Sequence, residues 1–320
     1  MKSRILKVLC TLILASAACW WGWITPVAAQ TSARSNDTEI AAFKQKLEEL
    51  QKKALEATNS GNFVTAEKYW TEMIEQLPEN AALWSNRGNA KVSQNKLEEA
   101  IADYNKAIEL APEAPEPYLN RGIALEGLGQ WQKAIADYNR VLELEPTDAA
   151  AFNNRGNAFA GLGEWEKAIA DYRQATLLAP DLAFAHANYA LALYQIGQIE
   201  QAIRTMKNLV RKYPRFADMR AALTAALWNQ GKRGEAESNW VAVVGLDPRY
   251  KDINWVAKIR RWPPAMVAAL DKFLHLMHSS YFLPVVATKF SLNFRKPLEK
   301  YAIINNCRDL TSLPGFSLEV

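Results

Sequence analysis

Six prolines stand 34 residues apart in this chain: Pro78, Pro112, Pro146, Pro180, Pro214 and Pro248. One interval held six times means six copies of one structural unit. A period of that length is the mark of a helix–turn–helix hairpin that stacks into a solenoid. A hairpin this small cannot bury its apolar face alone and leans on its neighbours. The working surface of such a chain is a long helical face rather than a catalytic pocket.

Other positions keep step with the proline. Repeats counted from 31 residues before each proline start at Leu47, Ala81, Pro115, Ala149, Ala183 and Ala217. The eighth position is small in five copies (Ala54, Gly88, Gly122, Gly156, Ala190) and is Thr224 in the sixth. The twentieth is alanine throughout, as Ala66, Ala100, Ala134, Ala168, Ala202 and Ala236. The twenty-fourth is large: Trp70, Tyr104, Tyr138, Tyr172, Met206 and Trp240. Small residues at the eighth and twentieth positions let two antiparallel helices approach, and the large residue fills the space between units. The fifteenth is Gly61, Asn95, Gly129, Gly163, Gly197 or Gly231, residue types that take the left-handed conformation ending a helix. The proline lacks an N–H and stops the second helix; Pro112, Pro146 and Pro180 close the best-matched copies. Within Ala100–Leu110, Ile101, Tyr104, Ala107 and Ile108 form one helical stripe.

On these residues the chain resembles the tetratricopeptide repeat (TPR) proteins from Leu47 to Pro248. The resemblance implies an all-α, right-handed superhelical solenoid of about six repeats that binds a protein or peptide on its concave face. It also implies that this face is lined by positions two, five, nine, twelve and thirteen of each repeat. Among them, Asn89, Asn153 and Asn157 offer amides to a peptide backbone. Leu119, Ile123, Phe184, Leu191, Tyr194 and Trp228 offer apolar surface, with the aromatics as anchors. The bland reading of the same side chains is that they cap, pack or pair between repeats. Chaperone-binding members of the family carry Lys or Arg at positions five and nine; position five here is Ser85, Leu119, Asn153, Ala187 and Ala221, so that clamp is lacking.

A further regularity joins two positions. Arg87, Arg121 and Arg155 occupy position seven, and Asp103, Asp137 and Asp171 occupy position twenty-three. Repeats two to four have both and the others have neither, which predicts an ion pair between facing helices.

Lys2, Arg4 and Lys7 precede an uncharged, mostly apolar stretch and the sequence Pro26-Val27-Ala28-Ala29, the parts of a secretory signal over residues 1–29. The alternative is an uncleaved anchor over residues 5–27. Removing 1–29 takes three positive charges from a net +4 and leaves +1. That balance speaks against a nucleic-acid partner, which needs a basic stripe. Of the three cysteines, Cys10 and Cys19 lie in the signal and Cys307 near the end, so neither an internal disulfide nor a cysteine metal site is expected. Residues 30–46 read as a linker, flexible over Thr31–Thr38, and a lead-in helix; 47–250 as six repeats; 251–278 as capping helices; and 279–320 as an irregular tail, with an apolar run at Tyr281–Phe294.

The tail of the repeat array carries DPRY at Asp247–Tyr250 and RRWPP at Arg260–Pro264. These strings resemble the ends of exported TPR proteins of cyanobacteria and the plant thylakoid lumen, which implies a lumenal or periplasmic address. Trp255 and Trp262 are expected to cap the last repeat. Ala265–Met277 reads as an amphipathic helix through Met266, Ala269, Leu270 and Phe273. His186, His275 and His278 are the only histidines; they suggest no metal site, and there is no phosphate loop or nucleophile elbow. The expectation is a non-enzymatic exported scaffold without cofactor that holds a protein segment in the assembly of a membrane complex. A self-associating solenoid and a regulatory subunit of an enzyme complex are the alternatives, and oligomeric state is open.

Overall fold

The structure, a computed structural model, describes residues 26–278. Residues 1–25, which hold most of the segment 1–29 expected as a signal, all three cysteines and residues 279–320, expected as an irregular tail, lie outside the described residues. Those described contain 14 α-helices and no strand. The helices are α1 (Pro26–Asn59), α2 (Phe63–Gln76), α3 (Ala81–Val92), α4 (Leu97–Leu110), α5 (Pro115–Gly127), α6 (Trp131–Leu144) and α7 (Ala149–Gly161). They continue with α8 (Trp165–Leu178), α9 (Ala183–Gln195), α10 (Ile199–Lys212), α11 (Ala217–Asn229), α12 (Arg233–Leu246), α13 (Ile253–Lys258) and α14 (Pro264–His278). A short 3-10 turn, Pro248–Lys251, follows α12.

The chain divides into two compact units, up to Ile196 and from Gly197. In the first, α1/α2, α3/α4, α5/α6 and α7/α8 are hairpins, each stacked on the next, and α9 packs on α8. In the second, α10 packs on α11, α11 pairs with α12, and α14 lies along α11. The boundary falls inside the fifth repeat. α1 starts upstream of repeat one, and the residues expected as a linker, Thr31–Thr38, are helical. The reason is local: no glycine or proline occurs between Val27 and Ser60, and Pro26 suits the first helical position, where its missing N–H costs nothing.

The repeat register holds at position fifteen of all six repeats. Gly61, Asn95, Gly129, Gly163, Gly197 and Gly231 all have φ between 60° and 82°. Each second helix stops at the residue before proline, whose ψ leaves the helical range (Leu77 at 65°, Tyr213 at 79°), as a following proline ring requires. Ala100, Ala134 and Ala168 are fully buried, as are Tyr104 and Tyr138, with Tyr172 nearly so.

Small and large positions meet directly. A Cβ built on Gly88, Gly122 or Gly156 falls 2.6, 2.5 or 2.7 Å from the ring of Tyr104, Tyr138 or Tyr172. The glycine is therefore the floor on which the ring of its own repeat lies. Gly122→Ala sets a helix-propensity gain of about 1 kcal/mol against overpacking of about 1–3 kcal/mol. The ring is buried and has no free direction to move, so overpacking wins: Gly122→Ala melts at a lower temperature than wild type. A melt at or above the wild-type temperature would show that the ring can shift.

Two kinds of interaction tie hairpins to the one before them, the first in repeats two, three, five and six and the second in repeats two to four. The side chain at position four donates to the carbonyl of the preceding repeat's proline: Trp84 Nε1 to Pro78 at 2.8 Å, Tyr118 Oη to Pro112 at 3.2 Å, Arg220 Nε to Pro214 at 2.7 Å. His186 Nε2 stands 3.0 Å from the Pro180 oxygen in the same way. The carbonyl is an acceptor at a helix end, where no intrahelical N–H reaches it. The second tie runs through arginine. Arg87, Arg121 and Arg155 each grip both oxygens of Asp103, Asp137 and Asp171 at 2.6–2.8 Å. The remaining Nη1 of each donates backwards to position 25 of the previous repeat: Thr71 at 3.3 Å, Asn105 at 2.7 Å, Asn139 at 2.8 Å. The guanidinium also lies over the position-four ring, 4.7 Å from Trp84, 5.6 Å from Tyr118 and 5.3 Å from Phe152. One side chain thus joins three helices, which a planar five-donor fork allows and a lysine does not.

Candidate functional site

The first helices of the repeats, α3, α5, α7, α9 and α11, carry the residues expected on the concave face. Their accessibility changes along the chain. In repeats two to four the face is open or half open. Asn89, Leu119, Asn153 and Asn157 are half-buried, and Ile123 is 42% exposed. Phe184, at the start of α9, is 58% exposed.

The asparagines are partly committed to the structure. Asn89 Oδ1 accepts from the Tyr104 hydroxyl at 2.7 Å, and Asn157 Oδ1 accepts from Tyr172 at 3.0 Å and from Asn188 Nδ2 at 3.0 Å. Asn188 Nδ2 also reaches Asn153 Oδ1 at 3.0 Å, and Asn153 Nδ2 donates to Asn154. Burial, reinforced by nearby carboxylates, pushes the Tyr104 and Tyr172 phenols above their ordinary value of 10.0, so both hydroxyls stay protonated donors. With their oxygens taken, Asn89 and Asn157 each retain an Nδ2 amide that makes no hydrogen bond among the described residues. The tyrosines therefore fix the amides by their oxygens and leave donors for an incoming carbonyl. In repeat three the equivalent polar group is acidic: Tyr138 donates to Glu126 Oε1 at 2.8 Å. Glu116 Oε1 accepts from Ser85 at 3.3 Å and Asn120 at 3.1 Å. Leu119 rests on the core formed by Leu125, Ala134, Tyr138 and Ala158.

The later part of the expected face is closed, which corrects the sequence reading of three residues. Leu191 and Tyr194 on α9 are buried, the tyrosine at 6% exposure. Trp228 on α11 is 8% exposed and meets Phe273 of α14 edge-on, with centroids 5.2 Å apart at 76°. Their apolar character belongs to packing and offers no surface to a partner in this state. Four of the five groove positions of the sixth repeat, Asp218, Ala221, Ala225 and Trp228, are buried, and the fifth, Asn229, is exposed.

Trp262, one of the two tryptophans expected as caps, is buried against the last repeat, and Trp255 is half-buried. Tyr250 Oη, Arg260 Nε and Trp262 Nε1 converge on Asp218 Oδ1 at 2.6, 3.0 and 3.0 Å. Trp255 packs edge-on against Tyr250, with centroids 5.2 Å apart. The DPRY and RRWPP strings thus supply donors to one buried carboxylate of the sixth repeat. Nothing in a linear sequence marks Asp218 as their partner, 32–44 residues upstream; only its acidity at a groove position hints at it.

Among the described residues no group of three or more His, Cys, Asp or Glu side chains is placed to hold a metal. No described helix is long and apolar enough to cross a membrane.

Comparison with known proteins agrees with this architecture. Family models for the TPR repeat match residues 88–129 and 127–163, and tetratricopeptide repeat models match 149–182 and 188–215. A tetratricopeptide repeat protein from Parabacteroides merdae is similar over 78% of this chain and 100% of its own, at 22% identity and a TM-score of 0.57. The APC/C hetero-tetramer Cut9-Hcn1 is similar over 63% of this chain and 44% of that chain, at 17% identity and a TM-score of 0.54. YrrB, described as a TPR protein with an unusual peptide-binding site, is similar over 60% of this chain and 97% of its own, at 21% identity and a TM-score of 0.46. No curated protein matches the sequence. At these identities the likeness speaks to fold alone.

Proposed function

Because residues 88–182 and 188–215 are tetratricopeptide repeats, we propose that the chain is a non-enzymatic scaffold that holds an extended segment of a partner protein on repeats two to four. The observation that carries this is the pair of tethered amides. Asn89 and Asn157 have their oxygens bound by buried tyrosine hydroxyls and their nitrogens unused, with exposed Ile123 in the repeat between them. Oriented donors beside apolar surface are what an uncharged peptide needs for its carbonyls and side chains. Positions five and nine carry no lysine or arginine in any of these repeats, so an acidic or carboxylate-terminated segment is disfavoured.

The N-terminal pattern of Lys2, Arg4, Lys7 and Pro26–Ala29 supports export, and the DPRY and RRWPP strings support a lumenal or periplasmic address. Service in the assembly of a membrane complex is in keeping with both. A self-associating solenoid is the second reading; light scattering over a range of concentrations separates the two.

The test is a crosslinking capture in the native compartment, with the recovered partner then titrated against variants. Ile123→Asp puts a charge on the apolar surface, and Asn157→Ala removes one donor. Each is expected to weaken the partner at least tenfold while circular dichroism and the melting profile stay near wild type. Partner affinity unchanged in the double variant would place the binding surface elsewhere.

A further inference from the structure

We infer that the groove face of the sixth repeat is a second ligand site, built for a helix anchored by one aromatic side chain, and that the chain closes it with its own residues 262–278. The inference rests on the same assignment of groove positions as the function proposed for repeats two to four, but it concerns a different repeat and a different ligand.

Three observations carry it. First, α14 lies along α11, the first helix of its hairpin. Between repeats two, three and four, the incoming helix instead packs chiefly on the second helix of the hairpin before it, as α5 does on α4 and α7 on α6. The C-terminal helix therefore leaves the pattern of the stack: its Phe273 reaches Trp240, which faces the space between units, and also groove-side Trp228, and the groove positions Asp218, Ala221 and Ala225 are buried beside it. Second, the contact has the anatomy of an interface. The Phe273 ring is wholly buried between Trp228 and Trp240, 5.2 and 5.1 Å from their centroids and edge-on to both. An aromatic in a pocket of aromatics is how binding hot spots are made. Beside it, Asp218 takes the indole N–H of Trp262 at 3.0 Å as a polar anchor at the entry to the helix. Third, the connection is built as a hinge. α13 is six residues long, Arg261 holds a left-handed φ of 53°, and Pro263 and Pro264 begin the next helix without an N–H of their own to pair. The helix is thus tethered to its site by a short irregular segment instead of being wound into the repeat register.

A tethered ligand sits at an effective concentration near the millimolar range, so a free competitor sees a site that is closed but not absent. Weakening the tethered copy at its anchor is expected to open it.

The probe is a fluorescent synthetic peptide of residues 262–278, titrated into the full chain and into full-length Phe273→Ala. The peptide is expected to bind Phe273→Ala at least tenfold more tightly than wild type, and a further Trp228→Ala change in the same chain abolishes that gain. Equal binding to both chains, or binding to neither, overturns the inference. Hydrogen exchange on the wild-type chain supplies a test that needs no variant. The amides of α14 are expected to exchange through an opening that leaves α10, α11 and α12 protected. Exchange of all four helices in one common step would make α14 an integral part of the core and overturn the inference. Wild-type mass that rises with concentration, and falls when Phe273 is replaced, would assign the occupant to a second copy and overturn closure within one chain. Affinity for a partner at repeats two to four does not enter any of these readings, so the two proposals fail separately.

Discussion

Tyr138→Ala is expected to lower the stability of the first unit by about 3–5 kcal/mol, as deletion of a fully buried aromatic side chain does. The ring has no exposed surface, lies against Gly122, and shares a core with Leu125, Ala134 and Ala158. Those neighbours are held on helix backbones, so they cannot close over the space a phenol ring leaves. The repeat is also in the middle of the unit, and stability in a stacked array is a sum of nearest-neighbour terms. Breaking the third repeat should therefore shorten the cooperative unit: the denaturation slope falls as well as the midpoint. Tyr138→Phe keeps the ring and removes only the hydrogen bond to Glu126, a change worth about 1–3 kcal/mol for a charged acceptor. Urea melts of the three proteins check this ordering. A Tyr138→Ala chain within about 1 kcal/mol of wild type would mean that the packing face is misplaced.

Arg121→Ala carries the second large effect, a loss of about 2–4 kcal/mol. The upper limit for stripping one partner from a buried ion pair is about 5 kcal/mol. Here the side chains are 22% and 7% exposed, so some solvent screening remains on the arginine side and the full figure does not apply. What dominates is the stranded Asp137 carboxylate, which loses both of its hydrogen bonds at 2.6 and 2.8 Å, while Asn105 loses its own at 2.7 Å. Replacing both Arg121 and Asp137 by alanine should cost less than the two single changes added together, giving a coupling of about 2 kcal/mol in a double-mutant cycle. Arg121→Lys should recover little, since a single ammonium cannot hold Asp137 with two donors and Asn105 with a third. Coupling near zero would reduce the three arginines to surface decoration.

These two predictions differ in how much of their basis was visible in the chain alone. The tyrosine's burial was legible, because a 34-residue phase puts position twenty-four on the same face in every copy. The pairing of Arg121 with Asp137 was legible from their joint presence in repeats two to four. The backward reach of the arginine to position 25 was not read, although a signal existed: Asn105 and Asn139 precede repeats that carry the arginine, whereas Arg173 precedes one that carries Tyr189. The position-four tie to the proline carbonyl had no such signal. Trp84, Tyr118, His186 and Arg220 share no composition, only a donor at similar reach.

The candidate site divides along the same line. Asn89 and Asn157 stand on the open face, and their tyrosine partners recur at one spacing, so a reader of the sequence can find both. The burial of Leu191, Tyr194 and Trp228 is not legible, because an apolar side chain at a groove position looks the same whether it waits for a partner or has one. Periodicity reports which residues share a face of a helix. It carries no information on what lies across from that face when the covering segment arrives out of register, as α14 does on α11.

By itself, the chain's repeat phase determined the hairpins, their turns and the small-against-large packing inside each, since all of these are set by contacts within 34 residues and by backbone preferences at glycine and proline. Only the tertiary structure decided which groove positions remain open, that Asp218 gathers Tyr250, Arg260 and Trp262, and that Phe273 lies between two tryptophans. Those contacts join residues whose separation follows no period, and their energy comes from burial that exists only once the chain has folded back on itself.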